Sequence, residues 1–257
     1  MGIIGKIKEG LHKFGVGGSV INIFEQKLHI RLPLPNKIRW RFSIKSELYF
    51  WDTYFKTKGL DSPEDFQQRL RPDLQLQEEL VPLLPKGQRV VKILDVGAGP
   101  LTYIGKQYPG YELQIQATDP LAAEYDKLLD KYHIKAPVHT ISADAEKLHD
   151  SFQENSFDIV HARNCIDHAY SPENAVLEMI RVTKPGSYVL LQHVPNEAVN
   201  QNWSGLHNWN FSEENGDFII SSKTMKINFS QKHAALFSIR TYMNAAKDWL
   251  YTEIRKK

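Results

Sequence analysis

Cysteine is nearly absent from this 257-residue chain: Cys165 stands alone, which excludes an internal disulfide and a cysteine-rich zinc site. Long apolar runs are missing as well. None approaches the roughly 18 apolar residues that a spanning helix needs, and the start shows no apolar core followed by a small-residue cleavage site. These absences set the expectation of a soluble, cytoplasmic protein. There is no internal repeat and no low-complexity segment. Net charge is only +2, but it is unevenly spread, since residues 1–48 hold nine Lys and Arg against three Glu. A basic segment of this kind attracts phosphates or an anionic membrane surface. Ile3, Ile4, Ile7, Leu11 and Phe14 share one helical face, which suits a weak membrane-surface contact through residues 1–14 or a helix docked on its own domain. The basic residues lack the regular aromatic interleaving of a single-strand platform, so no nucleic-acid partner is expected. Lys6 stands where a myristoylation signal needs Ser or Thr.

What is present suits one large α/β domain, with or without an appendage: 42% apolar and 11% aromatic residues in a chain long enough to bury a substantial core. Residues 1–60 read as a basic, aromatic amino-terminal extension with helical character, in which Tyr49 to Phe55 form a helix against the main domain. Residues 61–257 read as that domain. Asp61-Ser62-Pro63-Glu64-Asp65 is a helix start, with a capping side chain, an early proline and acids facing the dipole, and the helix is predicted to run to about Leu84. From Arg89 onward, short apolar runs near 91–96, 113–118, 137–141, 157–162 and 187–194 alternate with helical stretches near 101–107, 121–132 and 172–183. That alternation predicts a doubly wound, mostly parallel sheet with ligands beyond the carboxyl ends of its strands. An insertion over 196–230 contains a polar segment, predicted as a loop or short helix over the ligand edge, and a small hairpin. Two β-rich runs within 235–257 predict a closing antiparallel pair.

The chemistry concentrates where strands should end. An apolar run, Val90 to Val96, breaks into Asp95-x-Gly97-x-Gly99, a bend that lets bare backbone approach a nucleotide-like molecule beside the N–H groups opening the next helix. Asp119 closes the second strand 22 residues beyond Gly97, near the spacing at which an acid accepts bonds from ribose hydroxyls. Asp144 follows the third strand, where a carboxylate beside the next backbone N–H can address the edge of an adenine.

These segments, together with Ala117-Thr118-Asp119-Pro120, Ala143-Asp144-Ala145, Phe157-Asp158-Ile159-Val160 and Arg181-Val182-Thr183-Lys184-Pro185-Gly186, resemble the class I S-adenosylmethionine-dependent methyltransferases with a type 11-like domain, over residues 88–195. The resemblance implies a Rossmann-like sheet of seven strands ending in an antiparallel pair, and S-adenosyl-L-methionine as cofactor. It implies that Asp95, Gly97 and Gly99 hold the methionine end, Asp119 with Pro120 the ribose, and Asp144 with Ala145 the adenine. Asn164 would lie near the sulfonium. Leu101 replaces a third glycine, giving a tighter turn in which Thr102 would offer its hydroxyl to the methionine carboxylate. Glycine is also missing at 102, where a dinucleotide fingerprint requires it.

For an alcohol acceptor, loss of the hydroxyl proton needs help, and histidine is the natural base. His168 ranks first and His193 second, with Asp167 orienting an imidazole or binding an acceptor hydroxyl. His207, Trp209 and Asn210, in Gly205-Leu206-His207-Asn208-Trp209-Asn210-Phe211, are the candidates for acceptor recognition, Trp209 by stacking on a sugar face or flat ring. That loop resembles one in bacterial methyltransferases linked to polysaccharide or glycoconjugate synthesis. No two of Asp167, His168, His193, Glu197 and His207 share a recognised ligand spacing, so no metal is expected. The reading is O-methylation of a small molecule or glycan. The rivals are N-methylation, although the Asn/Asp-Pro-Pro-aromatic tetrapeptide is missing at Asn164-Cys165-Ile166-Asp167, and a non-catalytic module that keeps the fold. The sequence leaves the oligomeric state open.

Overall fold

Val90–Val96 forms β1, and an apolar run this continuous needs cover on both faces; its last four residues are all buried. In the computed structural model, which describes residues 36–203 and 206–257, β1 is an interior strand of a seven-stranded sheet. Around it lie β2 (Glu112–Thr118), β3 (Thr140–Ile141), β4 (Phe157–Arg163), β5 (Thr183–His193), β9 (Phe237–Met243) and β10 (Leu250–Lys256), in the order β3-β2-β1-β4-β5-β10-β9. The first five strands pair in parallel, while β10 runs antiparallel to both β5 and β9. This is the Rossmann-like sheet with an antiparallel closing pair that the sequence predicts. The membrane-surface reading of residues 1–14 falls outside the described residues, as does most of the 1–60 extension. Among the described residues, no helix is long and apolar enough to cross a membrane.

Helices α1 (Asn36–Thr57), α2 (Pro63–Leu70), α3 (Ala122–Lys131) and α4 (Pro172–Val182) cover the sheet, with Ser171 capping the last of them by accepting from Asn174 N–H. On α1, Tyr54 and Phe55 pack with Phe66 of α2, Leu101 and Leu129 in a core cluster of their own. The insertion forms a short α5 (Glu197–Asn200) and a second, three-stranded antiparallel sheet, β6 (Asn210–Glu214), β7 (Asp217–Ser221) and β8 (Lys226–Asn228), followed by α6 (Phe229–His233). The predicted hairpin is β7–β8; β6 is an added third strand. Its Phe211 joins Phe218 and Phe229 in the main core.

Two predicted helices are corrected. The helix expected to run from residue 63 to about Leu84 stops at Leu70, because Pro72 disfavours helical backbone at Arg71, which is extended. A 3-10 turn at Val81–Leu83 is the only helical piece in the remainder of that span. The helix expected near 101–107 does not form. Its backbone bonds go outward instead: Lys106 and Gln107 N–H donate to Leu74 O at 2.7 and 3.0 Å, and Leu76 N–H donates to Gln107 O at 2.8 Å. Gly105 lies flat against Gln75, so closely that an added Cβ would collide with the Gln75 carbonyl.

Candidate functional site

The carboxyl ends of β1, β2, β3 and β4 meet at one edge around a cavity of about 410 Å³, within the usual size of a small-molecule site. Gly97 and Gly99 bend β1 away from the sheet with φ of +66° and +63°. The bend is clamped from two sides: a Cβ on Gly97 would lie 2.5 Å from Cys165 Sγ, and one on Gly99 would lie 2.5 Å from the Trp51 ring. Asp119, Pro120, Asp144 and Ala145 line the same cavity. Asp119 Oδ2 accepts from Gly99 N–H at 3.2 Å and Oδ1 from Leu121 N–H at 2.9 Å, so the carboxyl is fixed over the bend. Burial pushes its pKa up to about 7, the charges of Glu47 and Asp95 adding and the two N–H bonds opposing. Asp144 caps the following 3-10 turn, its Oδ1 accepting from Glu146 N–H at 2.9 Å.

The other end of the cavity is built differently from the sequence expectation. Asp95 Oδ2 accepts from the Thr102 hydroxyl at 2.5 Å, and Oδ1 lies 2.8 Å from His161 Nδ1. His161 Nε2 continues to Gln192 Oε1 at 2.8 Å, and Gln192 Nε2 donates to Glu79 Oε1 at 2.8 Å. This chain of side chains crosses β1, β4 and β5 on one face. Thr102 is therefore a correction: it is buried, its hydroxyl is given to Asp95, and it does not line the cavity. Asn164, in left-handed backbone at φ 48°, does line it, and accepts from Val194 N–H through Oδ1 at 3.1 Å. Beside it, the Arg163 guanidinium lies between the Tyr103 and Trp249 rings, 4.1 and 4.2 Å from their centres. Such contacts contribute about 0.5–2 kcal/mol each. Cys165 faces Gly97 as a packing group, its thiol held protonated by burial.

At the rim, Asp167 is buried and gathers two imidazoles: His207 Nδ1 lies 2.6 Å and His168 Nε2 3.5 Å from Oδ2, with the two rings edge to face at 4.7 Å. Burial alone would raise Asp167, but the histidine charges and the His207 bond outweigh it and hold its carboxyl below the ordinary range. Burial likewise disfavours charged His207, yet the Asp167 bond prevails and its pKa is raised. His168 lines the cavity. His193 does not: it is buried, stacked on Phe211 at 4.2 Å, and burial lowers its pKa to about 4, so the ring is uncharged at neutral pH but has no access to an acceptor. The second-ranked base is thereby corrected. The three side chains Asp167, His168 and His207 bring one ligand atom each within 4.8 Å of one another, a grouping that can hold a metal ion and that their sequence spacing does not announce.

The acceptor loop divides. His207 joins Asp167, whereas Trp209 donates through Nε1 to Ala169 O at 3.0 Å and lines a second cavity of about 650 Å³ between Tyr170 and the β7–β8 turn. Tyr170 borders both cavities. Asn210 is buried, accepting from Val199 N–H at 3.1 Å, and is a structural residue outside both. Sequence reasoning missed His161, Arg163, Arg69, Tyr103 and Glu47, and read Trp51 as part of a helix packed on the main domain. An arginine closing the otherwise buried β4 was the one local signal among them.

Residues 94–191 match the model of a family described as a methyltransferase domain. The chain is 28% identical over 159 residues to the malonyl-[acyl-carrier protein] O-methyltransferase of Marinomonas sp., covering 59% of this chain and 54% of that protein. It is 35% identical over 106 residues to the ubiquinone/menaquinone biosynthesis C-methyltransferase UbiE of Stutzerimonas stutzeri, covering 39% and 40%. The chain thus spans about half the length, or less, of these curated relatives. Among solved structures, the CurJ carbon methyltransferase superposes with a TM-score of 0.49 at 17% identity, over 68% of this chain and 50% of that one. The phosphoethanolamine N-methyltransferase 2 of Haemonchus contortus, in complex with S-adenosyl-L-methionine, gives 0.45 at 18%, over 69% and 51%.

Proposed function

We infer that this chain, whose residues 94–191 match a methyltransferase-domain model, is an S-adenosylmethionine-dependent methyltransferase, and that the atom it methylates is a hydroxyl oxygen of a small molecule or glycan. The observation that supports this reading is the His168 ring in the cavity with the buried Asp167 carboxylate behind it. Methyl transfer to a neutral nitrogen does not of itself call for such a pair, because the lone pair attacks before a proton is lost, whereas an alcohol, like a carbon acid, keeps its proton at neutral pH and needs a base at hand.

The cavity suits the cofactor on its own features: a glycine bend with no room for a Cβ, a fixed carboxyl at Asp119, and an acid with adjacent backbone at Asp144 and Ala145. When bound there, S-adenosylmethionine supplies a methyl group already activated on a sulfonium. The chain's own part is alignment, exclusion of water and removal of one proton. Asp119 holds the ribose, and Asp144 with Ala145 the adenine. His168 turns Nε2 toward Asp167, leaving Nδ1 as the ring atom that takes the acceptor proton. His207, on the other side of the same carboxylate, fixes Asp167. In this proposal residues 61–257 form the methyltransferase unit, α1 lends Glu47 and Trp51 to the cavity wall, and the protein works in the cytoplasm.

A screen of nucleotide sugars, lipid-linked sugars and phenols with labelled cofactor tests the reading. His168→Ala should lower kcat on the accepted substrate about 10²-fold while S-adenosylhomocysteine binds as before; normal turnover by that variant would refute the base assignment. The second reading, a metal at Asp167, His168 and His207, is favoured by their convergence. Under the base mechanism, dialysis against EDTA is expected to leave kcat unchanged. Loss on chelation, restored by Mn²⁺ or Zn²⁺, would make His168 a ligand instead.

A further inference from the structure

We propose that Arg163 anchors the α-carboxylate of the cofactor's methionyl end, in a subsite formed by the flat slot between Tyr103 and Trp249. The proposal rests on the reading of the cavity as the S-adenosylmethionine site. Three observations lead to it.

Position comes first. Across the sheet edge, Asp144 follows β3, Asp119 follows β2, the glycine bend follows β1, and Arg163 ends β4. Arg163 therefore stands three strand spacings, roughly 14 Å, from the acid proposed for adenine. That is the span of an extended adenosylmethionine, with the ribose acid and the bend in between.

The second observation is what the bend lacks. In the sequence reading, a helix beginning after Gly99 offers its free N–H groups to the anionic end of the ligand. Here that helix is missing, because residues 106 and 107 bond to Leu74. No helix dipole reaches the carboxylate from this side, and a cation must do that work.

Third, Arg163 is the cation at the β4 end of the cavity whose side chain has no polar partner; Lys147, also in the lining, follows β3 at the adenine end. Arg69 donates to Asp65 Oδ2 at 2.7 Å and to Leu101 O at 2.7 Å, and Lys106 donates to Arg69 O at 3.2 Å. The Arg163 side chain has no hydrogen bond or ion pair among the described residues, and its Nε is buried without a partner. Its ring contacts fix the guanidinium plane while leaving the edge donors open. A planar fork of this kind matches a carboxylate through two parallel bonds. The carboxylates that act on Arg163 are engaged elsewhere, Asp65 by Tyr54 and Arg69 and Glu79 by Gln192, and Asp95 in the cavity wall has both oxygens occupied by Thr102 and His161.

The test uses two ligands that differ in the group concerned. S-Adenosylhomocysteine carries the carboxylate; 5′-methylthioadenosine keeps the adenosine and sulfur but lacks it. Calorimetry on the full chain should show Arg163→Met weakening S-adenosylhomocysteine roughly 10- to 100-fold while methylthioadenosine changes by less than about 3-fold. Arg163→Lys, a point charge on a flexible stem, should recover part of the loss, and it carries the comparison if the methionine variant fails to fold. Equal losses on both ligands, or none on either, would overturn the anchor, the first by showing a merely structural arginine and the second by placing the carboxylate elsewhere. Unaltered binding of both ligands combined with a loss of acceptor affinity would mean that the slot receives an acceptor's carboxylate, and also overturns it. Failure of the unsubstituted protein to bind either ligand would remove the cofactor reading itself.

Discussion

Asp119→Ala is expected to weaken S-adenosylhomocysteine binding by about 10²–10³-fold. A hydrogen bond to an ionised group in a dry site contributes roughly 1.5–3 kcal/mol, and one carboxylate can hold both ribose hydroxyls. The carboxyl cannot turn away to find other partners, since Gly99 and Leu121 N–H groups fix both oxygens. Its raised pKa, about 7 through burial, adds a pH signature. Below that value the acid is protonated in the free protein and must lose its proton to accept from the ribose. Affinity should fall nearly tenfold per pH unit between about 7 and 5, and level off above 8. Stability moves in the opposite sense. A carboxyl whose folded pKa exceeds its unfolded value contributes stability that is complete below about 4 and is lost as pH rises through 7. The free protein should therefore melt lower at pH 8 than at pH 5 on account of this group, and the alanine variant should show less of that slope. Affinity independent of pH from 5 to 8 with Asp119 intact would assign the ribose to another residue.

Gly105→Ala should be the most damaging glycine-to-alanine substitution among the described residues. The methyl group would meet the Gln75 carbonyl and the Leu76 nitrogen, both backbone, so no side-chain rotation relieves it. Moving the strand is no easier. Gly105 N–H donates to Gln77 Oε1 at 2.8 Å, Gln77 Nε2 donates to Tyr103 O at 2.6 Å, and the flanking backbone is tied to Leu74 and Gln107. A cost of about 3 kcal/mol, the upper end for overpacking, corresponds to a fall in melting temperature of ~6–12 °C at this chain length. Gly110→Ala is the control: nothing lies within 4 Å of its added Cβ, and only its positive φ, +82°, opposes the change. It should cost about 1–2 kcal/mol. Similar melting points for the two variants would show that the 74–77 and 103–107 segments are not locked together.

Strand positions, the glycine bend and the acids at 119 and 144 are local facts of the sequence, because a strand's apolar run and the residue that ends it are neighbours in the chain. The buried relay through His161 was not legible, since it depends on Asp95, His161 and Gln192 falling on one face of three adjacent strands, a matter of register. Arg163 was visible as a residue but not as a cation in need of a partner; that follows only when Tyr103 and Trp249, distant in sequence, arrive on either side. The predicted helix over 101–107 failed for a similar reason: residues 74–76 compete for its backbone. Trp209 was read as a stacking surface for the acceptor, yet its indole N–H is held by Ala169 and its ring belongs to the second cavity. Asp167 and His168 could be named together because they are neighbours in sequence, while the arrival of His207 on the same carboxylate required the fold.

Trp51 stands 43 residues before the family match begins, yet its ring rests on Gly99 and its indole nitrogen donates to Glu47 Oε1 at 2.9 Å. The ligand-binding edge is thus sealed by a part of the chain that no domain boundary drawn at the sheet would retain. Trimming to the first strand would leave the cavity beside the glycine bend with an open ceiling, admitting bulk solvent where methyl transfer needs dryness. The same indole also gives the protein a built-in gauge, because anything seated against the glycine bend must touch it and alter its emission.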